Sequence, residues 1–178
     1  MAQPHTFNNP FRISRPAPFV EWQHSLPSRV ADIAPCLDTV VRFIKLLADK
    51  FCRAEESEFA IETALREALA NSVIHGNRQE AHKRVHITCR CSMDGEITIT
   101  LQDEGEGFNS RALPDPTDAK NRLLRHGRGI YLMRVLMDEV CFEDDGRLVR
   151  MQKQLKVFEG AFPKEGEITM LEKRTPAT

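Results

Sequence analysis

The chain has 178 residues, of which 41% are hydrophobic and 29% charged, and its formal net charge is −1 at pH 7. This length suits one domain with a full hydrophobic core, and the near-zero charge gives no overall attraction to nucleic acid or to an anionic membrane. The sequence contains no apolar run long enough to span a membrane and no signal-peptide core near its start, so we expect a cytoplasmic protein.

The first half of the chain predicts an arm, a strand and two helices. Residues 1–17 are rich in Pro, Asn and Arg and predict a flexible arm, and residues 19–26 predict a short strand. Ser28 is a candidate N-cap for a helix that ends near Lys50, and a second helix is expected from Glu55 to a stop at Gly76. Apolar stripes should turn both helices toward the core. They comprise Val30, Ile33, Leu37, Val41, Ile44 and Leu47, then Phe59, Ile61, Leu65, Leu69 and Ile74.

The second half predicts two hairpins separated by a long loop and a third helix. Apolar and polar residues alternate on both sides of Asp94-Gly95 and Asp145-Gly146, and both dipeptides are typical of hairpin turns. Residues 110–126 form a polar stretch of about seventeen residues, which indicates a functional loop, and a helix should begin near Gly129. We therefore expect an α+β domain over residues 18–158, a two-layer sandwich with a mixed, mostly antiparallel sheet and helices on one face. The tail from residue 159 predicts either one extra edge strand or an unpaired segment.

The cysteines favour free thiols over disulfides or a zinc site. Their odd number and scattered spacing do not suggest a disulfide framework, and no second pair completes a metal site beside Cys89 and Cys91. Those two should point to one face of a strand, since they are two residues apart.

Three short segments carry candidate functional residues. In EALANSVIHGN, Glu67 and Asn71 are four residues apart and share a helix face, which His75 extends. A carboxylate and an amide carbonyl there suit a hard cation and a general base, although a solvated polar stripe would look the same.

The other two segments are rich in glycine. In DEGEGFN, Asp103 ends a strand and could accept a hydrogen bond from an exocyclic amine, while Gly105 and Gly107 let a planar ligand approach the backbone. In RHGRGIYLMRVLMDEV, Gly127 and Gly129 precede a helix whose N-terminus could bind phosphate. Each alone is also compatible with an ordinary turn or helix entry. Together, in this order, the three predict the metal, base and phosphate parts of a magnesium–nucleotide site.

The motifs E-x-x-x-N, D-x-G-x-G-F and G-x-G-[IL]-x-[LM] resemble those of the Bergerat ATP-binding fold shared by gyrases, chaperones, histidine kinases and mismatch-repair proteins. Within that superfamily, EALANSVIHGN and GRGIYLMRVLMDEV resemble the anti-sigma-factor serine protein kinases of bacterial partner switching. The resemblance covers residues 19–155.

The resemblance implies roles for individual residues. Glu67 would be the general base, Asn71 the magnesium ligand and Asp103 the acceptor for the adenine amino group, with residues 110–126 as the ATP lid. The implied nucleotide-binding residues are Asn71, His75, Gly76, Asn77, Asp103, Gly105, Gly107, Phe108, His126, Gly127, Arg128, Gly129 and Ile130. One departure is that the segment GRLVRM, residues 146–151, lacks the threonine that often lies near adenine in this superfamily.

The resemblance also implies a function. We expect an ATP- and Mg-dependent serine/threonine kinase that phosphorylates a serine of a small antagonist protein and binds a sigma factor. A homodimer is expected, without direct contact to nucleic acid or membrane. The alternative is a nucleotide-dependent binding module that sequesters its partner without significant kinase activity. A sensor histidine kinase fragment fits less well, because the first predicted helix contains no phosphoacceptor histidine.

Overall fold

The computed structural model describes residues 18–53, 55–108 and 128–157, with residues 48–53 and 55–56 described by their backbone alone. The predicted arm (1–17), the predicted tail (159–178) and the predicted lid (110–126) lie outside the described residues.

The described chain forms seven strands and three α-helices. The strands are β1 (Phe19–Pro27), β2 (Cys52–Arg53), β3 (Arg84–Ser92), β4 (Glu96–Asp103), β5 (Glu139–Glu143), β6 (Leu148–Gln154) and β7 (Lys156–Val157). The helices are α1 (Ile33–Phe51), α2 (Glu55–Ala70) and α3 (Arg128–Leu136). Short 3₁₀ turns occupy Val30–Asp32 and Asp144–Gly146, and a π-helix, Asn71–Gly76, continues α2.

Five strands form one sheet in the order β1-β3-β4-β6-β5, and every neighbouring pair in it is antiparallel. Both predicted hairpins are confirmed, with Gly95 and Gly146 at positive φ (90° and 85°) as tight turns require. The sequence did not predict the small second sheet, in which β2 pairs with β7. These strands are only two residues long, too short for alternation to reveal them.

The helices cover one face of the sheet, so the predicted two-layer α+β sandwich is confirmed. Inward-facing residues of the central strands pack against buried residues of α1 and α2; the core includes Val85, Ile87, Ile97, Ile99, Leu101, Met151, Leu37, Ile44, Leu65 and Leu69. Cys89 and Cys91 share that face, as their spacing predicted: Cys89 is buried and Cys91 packs against the core. None of the helices in the three described ranges is long and apolar enough to cross a membrane.

Three local predictions on the helices were wrong. Ser28 does not cap the first helix, because a 3₁₀ turn intervenes and the buried Ser28 hydroxyl accepts a hydrogen bond from Asn77. Val30 belongs to that turn and is 50% exposed, since the α-helical period begins only at Ile33. Phe59 is 74% exposed on α2, although Ile61, Leu65 and Leu69 of the same predicted stripe are buried.

Candidate functional site

The end of the second helix changes its winding where the candidate residues lie. Glu67 belongs to the last turn of α2, whereas Asn71, Ser72, His75 and Gly76 belong to the π-helix. The predicted single α-helix is therefore corrected here: its last six residues are wound more widely. Single π turns inside helices are frequent at functional sites, because they redirect side chains at the cost of regular hydrogen bonding.

The N-terminus of α3 packs directly against the first candidate pair. A Cβ atom added to Gly129 would overlap Oε2 of Glu67 and would lie 3.7 Å from Nδ2 of Asn71. Only a glycine therefore lets the helix start approach the Glu67 carboxylate this closely. Backbone N–H groups in the first turn of a helix have no helical acceptor, so anionic groups bind there readily.

Asn71 contains a polar atom that lacks a partner. Its Nδ2 is the one buried side-chain nitrogen or oxygen without a hydrogen bond in the described part of the chain. Leaving a buried polar group unpaired costs about 1–3 kcal/mol, so this amide is available to a bound ion, ligand or water. Rotation of the amide by a half-turn exchanges its nitrogen and oxygen, and an amide oxygen beside a carboxylate is a donor set that Mg²⁺ accepts. The residues present thus fit a magnesium ion.

Asp103 ends β4 and is the one buried carboxylate among the described residues, at 8% exposed. Its backbone N–H donates to the Arg147 carbonyl at 3.0 Å, and its Oδ1 accepts from the Gly105 N–H at 2.9 Å. Burial raises the pKa of the Asp103 carboxyl above its ordinary value, while hydrogen bonds from Gly105 and the Ser72 hydroxyl and the charge of Arg147 oppose that rise in pKa. The Asp103 carboxylate is therefore a hydrogen-bond acceptor whose orientation is fixed by the protein.

Close contacts with neighbouring atoms explain why the residues around Asp103 are glycines. A Cβ on Gly76 would lie 2.5 Å from Oδ2 of Asp103, and a Cβ on Gly105 would overlap the Gly76 carbonyl oxygen. Gly107, at φ 76°, lies under the carbonyl oxygen of Asp145. The structure therefore supplies a second explanation for DEGEGFN beside room for a nucleobase: at Gly105 and Gly107, the close neighbour is the protein's own backbone.

Most of these groups line one cavity of about 370 Å³ between α2, α3 and the sheet. Within it, Glu67 and Asn71 lie beside Gly129, and Asp103 lies beside Gly76 and bonds to the Arg147 backbone. The apolar lining consists of Phe108, Ile130, Met133, Phe142 and Val149. This size and mixture, mainly apolar with a few convergent polar groups, are typical of small-molecule sites.

The cavity brings together most residues singled out from the sequence. Those that line it are Glu67, Asn71, His75, Gly76, Asp103, Gly107, Phe108, Gly129 and Ile130. Gly105 lies behind Asp103, and Arg128 begins α3 with its side chain exposed. His126 and Gly127 fall outside the described residues.

Asn77 is placed beside the cavity and not in its lining. Its side chain is fully buried, and its Nδ2 donates to the Ser28 hydroxyl at 2.6 Å and to the Arg84 carbonyl at 2.8 Å. Its Oδ1 accepts from the Glu104 N–H at 2.8 Å. Since both of its amide protons and its carbonyl oxygen are engaged within the protein, Asn77 acts by fixing the backbone that follows Asp103.

Sequence reasoning missed several residues of the cavity: Ser72, Met133, Phe142, Arg147 and Val149. Ser72 lay inside a quoted motif, but nothing in its spacing marked it, because the π-helix sets its direction. Val149 belongs to GRLVRM, where a threonine was expected from the resemblance, and it presents no hydroxyl to the cavity.

A two-layer α+β domain that gathers a buried carboxylate, a carboxylate–amide pair and a glycine at a helix start around one cavity is, as a class, a nucleotide-binding domain. The chain belongs to the family of histidine kinase-like ATPase domains, whose model matches residues 28–153. The nucleotide implied by that family is ATP.

The chain is also similar to curated proteins named anti-sigma F factor. That of Oceanobacillus iheyensis is 38% identical over 100 residues, which cover 53% of this chain and 68% of the relative. That of Heyndrickxia coagulans is 30% identical over 99 residues (53% and 67%). That of Clostridium perfringens is 37% identical over 100 residues (53% and 71%). These matches confirm the resemblance drawn from the motifs.

Proposed function

We propose that this chain is an ATP- and magnesium-dependent serine/threonine protein kinase and anti-sigma factor of a bacterial partner-switching system. The observation that carries the proposal is the packing of Glu67 and Asn71 against the start of α3, within the cavity that also contains Asp103. The family and the names of the relatives support the same reading. The substrate we propose is a serine on a small antagonist protein.

In this proposal each wall of the cavity binds one part of the nucleotide. Asp103 accepts a hydrogen bond from the adenine amino group, between apolar side chains such as Phe142 and Val149. The α3 N-terminus around Gly129 receives the phosphates, and Asn71 with neighbouring oxygens holds magnesium, which when bound neutralises phosphate charge. Glu67, in contact with the helix start, is placed where the γ-phosphate and an incoming hydroxyl would meet.

Glu67 then acts as general base. A carboxylate oxygen of Glu67 takes the proton of the acceptor hydroxyl while the hydroxyl oxygen bonds to the γ-phosphorus and ADP leaves. Little covalent chemistry is required of the protein in such a transfer, so positioning and charge stabilisation account for most of the rate enhancement.

The test is transfer of labelled phosphate from ATP, with magnesium, to the antagonist-type protein encoded nearest to this one. Glu67→Ala and Asn71→Ala are compared with wild type, and bound nucleotide is measured in the same samples. Glu62→Ala is the matched control, because Glu62 lies on the same helix but forms an ion pair with Arg66 away from the cavity. Loss of serine or threonine labelling in the two site variants, with the control active, supports the proposal.

Other outcomes separate the alternatives. Transfer by Glu67→Ala at the wild-type rate contradicts the assignment of the base. Wild-type protein that binds ATP and a sigma factor but labels no acceptor favours the nucleotide-dependent binding module instead. Light scattering of the same samples tests the predicted homodimer.

A further inference from the structure

A second cavity lies at the other end of the sheet from the cavity that we assign to ATP. Its volume is about 170 Å³, and its lining includes Phe19, Val20, Ile44, Leu47, Ile97 and Leu155. None of the described residues that line it carries a charge. Because Ile97 is near the start of β4 and Asp103 is at its end, the strand separates them by about 20 Å, at about 3.4 Å per residue. The second cavity is therefore distinct from the first.

The described residues leave part of the apolar surface of this second cavity open. Phe19 and Val20, at the start of β1, are 47% and 48% exposed, whereas Ile97 and Leu155 are buried. An apolar cavity of about 150 Å³ in another protein accommodates a benzene ring, so this one is large enough for a single phenyl group. Removing such a group from water into an uncharged, apolar cavity is favourable.

Both ends of the described chain lie at this cavity. Pro18, the first described residue, lines it, and its carbonyl accepts a hydrogen bond from the Met93 N–H at 2.8 Å. Val157, the last described residue, packs against the hairpin turn between β3 and β4: a Cβ atom added to Gly95, which also lines the cavity, would lie 2.7 Å from Cγ2 of Val157. The chain therefore continues from β7 at the edge of the cavity.

The sequence after Val157 provides one aromatic side chain that can return to the cavity. Val157 faces Gly95, so the alternation of a strand directs the next side chain, Phe158, to the opposite side. Phe162 follows Val157 by five residues, which span up to about 17 Å. Gly160 lies between them and permits a sharp turn of the backbone.

The segment before β1 is less suited to the same position. Its nearest aromatic residue is Phe11, and Pro16 and Pro18 follow it before β1 begins. A proline favours an extended backbone at the residue that precedes it, so the two prolines direct Phe11 away from the cavity.

We propose that Phe162 docks its phenyl ring into this cavity between β1, the β3–β4 hairpin and α1, so that the chain after β7 folds back on its own domain. The ring covers part of the exposed apolar surface of Phe19 and Val20. The inference does not depend on the proposed function, because the cavity and Asp103 lie at opposite ends of β4.

The experiment compares methyl NMR spectra and melting temperatures of the full-length wild type, Phe162→Ala and Phe158→Ala. The probes are the δ1 methyl groups of Ile44 and Ile97, which line the cavity, and of Ile87, which is buried outside its lining. Phe158→Ala is the matched control, because it removes the same ring from the same segment. Phe162→Leu keeps an apolar side chain without a ring, and provides a folded variant if the alanine variant is unstable.

We expect Phe162→Ala to shift the methyl resonances of Ile44 and Ile97, which lose the ring current of the aromatic side chain, and to leave Ile87 unshifted. Its melting temperature should fall by about 5 °C, the scale expected for one buried aromatic side chain in a chain of this length. Phe162→Leu should cause the same shifts with a smaller loss of melting temperature. Phe158→Ala should leave both resonances and the melting temperature unchanged.

Several outcomes would overturn the inference. One is unshifted Ile44 and Ile97 resonances in both Phe162 variants, and another is an equal effect of Phe158→Ala. If Phe11→Ala causes the shifts instead, the predicted arm occupies the cavity. If the difference between wild type and Phe162→Ala disappears on dilution, the ring comes from a second copy of the chain. Wild-type protein that binds no ATP would contradict the proposed function and leave this inference unaffected.

Discussion

Replacement of Gly76 by alanine should weaken ATP binding without unfolding the domain. The added Cβ would lie 2.5 Å from Oδ2, 2.6 Å from Cγ and 2.7 Å from Oδ1 of Asp103. Ordinary contact begins at 3.4 Å, so the carboxylate has to retreat by about 0.9 Å (3.4 − 2.5). Because all three of its atoms face the methyl group, rotation of the carboxylate about its own bond does not relieve the overlap.

The backbone of Asp103 cannot follow this movement easily. It is paired with Val85 across β3 and β4, and its N–H donates to the Arg147 carbonyl at 3.0 Å. We therefore expect the carboxylate to swing away from both Gly105 and the ligand. A lost hydrogen bond to a charged group is worth about 1.5–3 kcal/mol, which corresponds to roughly 10- to 100-fold weaker binding. The backbone itself tolerates alanine, since φ of Gly76 is outside the left-handed region, and helix propensity favours alanine over glycine.

The assay is calorimetric titration of ATP into wild type, Gly76→Ala, Asp103→Asn and the double variant, with thermal melting of each. If the methyl group acts through the carboxylate, Gly76→Ala adds little once Asp103 is already asparagine, and the cycle is non-additive. Additive losses, or a Gly76→Ala variant that binds ATP within twofold of wild type, would refute the reasoning.

Three further predictions concern the cavity and the residues that support it. Gly129→Ala should lower the rate of phosphoryl transfer at saturating ATP by about 100-fold, because the methyl group displaces the Glu67 carboxylate by about 1 Å. Single-turnover kinetics measure this rate, and an unchanged rate contradicts the prediction. Asn77→Ala should lower the free energy of unfolding, measured by urea titration, by about 3 kcal/mol. The reason is that the Ser28 hydroxyl, the Arg84 carbonyl and the Glu104 N–H lose their buried partner. A loss below about 1 kcal/mol would show that water replaces the amide. Asp103→Asn should weaken ATP binding about as much as Gly76→Ala does, yet raise the melting temperature at neutral pH. Burial raises the folded-state pKa of Asp103 above the ordinary value of 3.8, so its contribution to stability falls as pH rises from that value through the folded-state pKa. The stability difference between Asp103→Asn and wild type should therefore narrow as the pH is lowered through that window, and a constant difference would contradict the assignment.

The secondary structure of this protein could largely be predicted from local patterns. Asp94-Gly95 and Asp145-Gly146 marked both hairpins, because the residues that adopt a positive φ are few and are recognisable by type. The periods of two and 3.6 placed the strands and helices in the correct order. The predictions failed where the α-helical period was assumed to continue into another type of helix. Val30 was expected to be buried but lies in a 3₁₀ turn, and the residues from Asn71 were expected in an α-helix but form a π-helix.

The candidate site was also visible in part, because each of its three segments carries its chemistry within a few residues. The carboxylate–amide spacing of Glu67 and Asn71 and the glycines of DEGEGFN can be read from the sequence, and the cavity contains residues from both. Gly129 and Ile130 of the third segment also line the cavity. What the spacing could not show is how closely the segments approach one another.

The sequence by itself therefore determined the strands of the main sheet, the helices and their order, the α+β class and the residues with nucleotide-binding chemistry, since all of these depend on neighbours in the chain. Only the tertiary structure decided which group each of them meets. Asn77 bonds to Ser28 across 49 positions of sequence and supports the site without lining it. Gly105 is a glycine because the Gly76 carbonyl lies against it, and the backbone of Asp103 bonds to the Arg147 carbonyl, 44 positions further along the chain. Contacts between segments so far apart in sequence depend on how the helices pack on the sheet, and no local pattern encodes that packing.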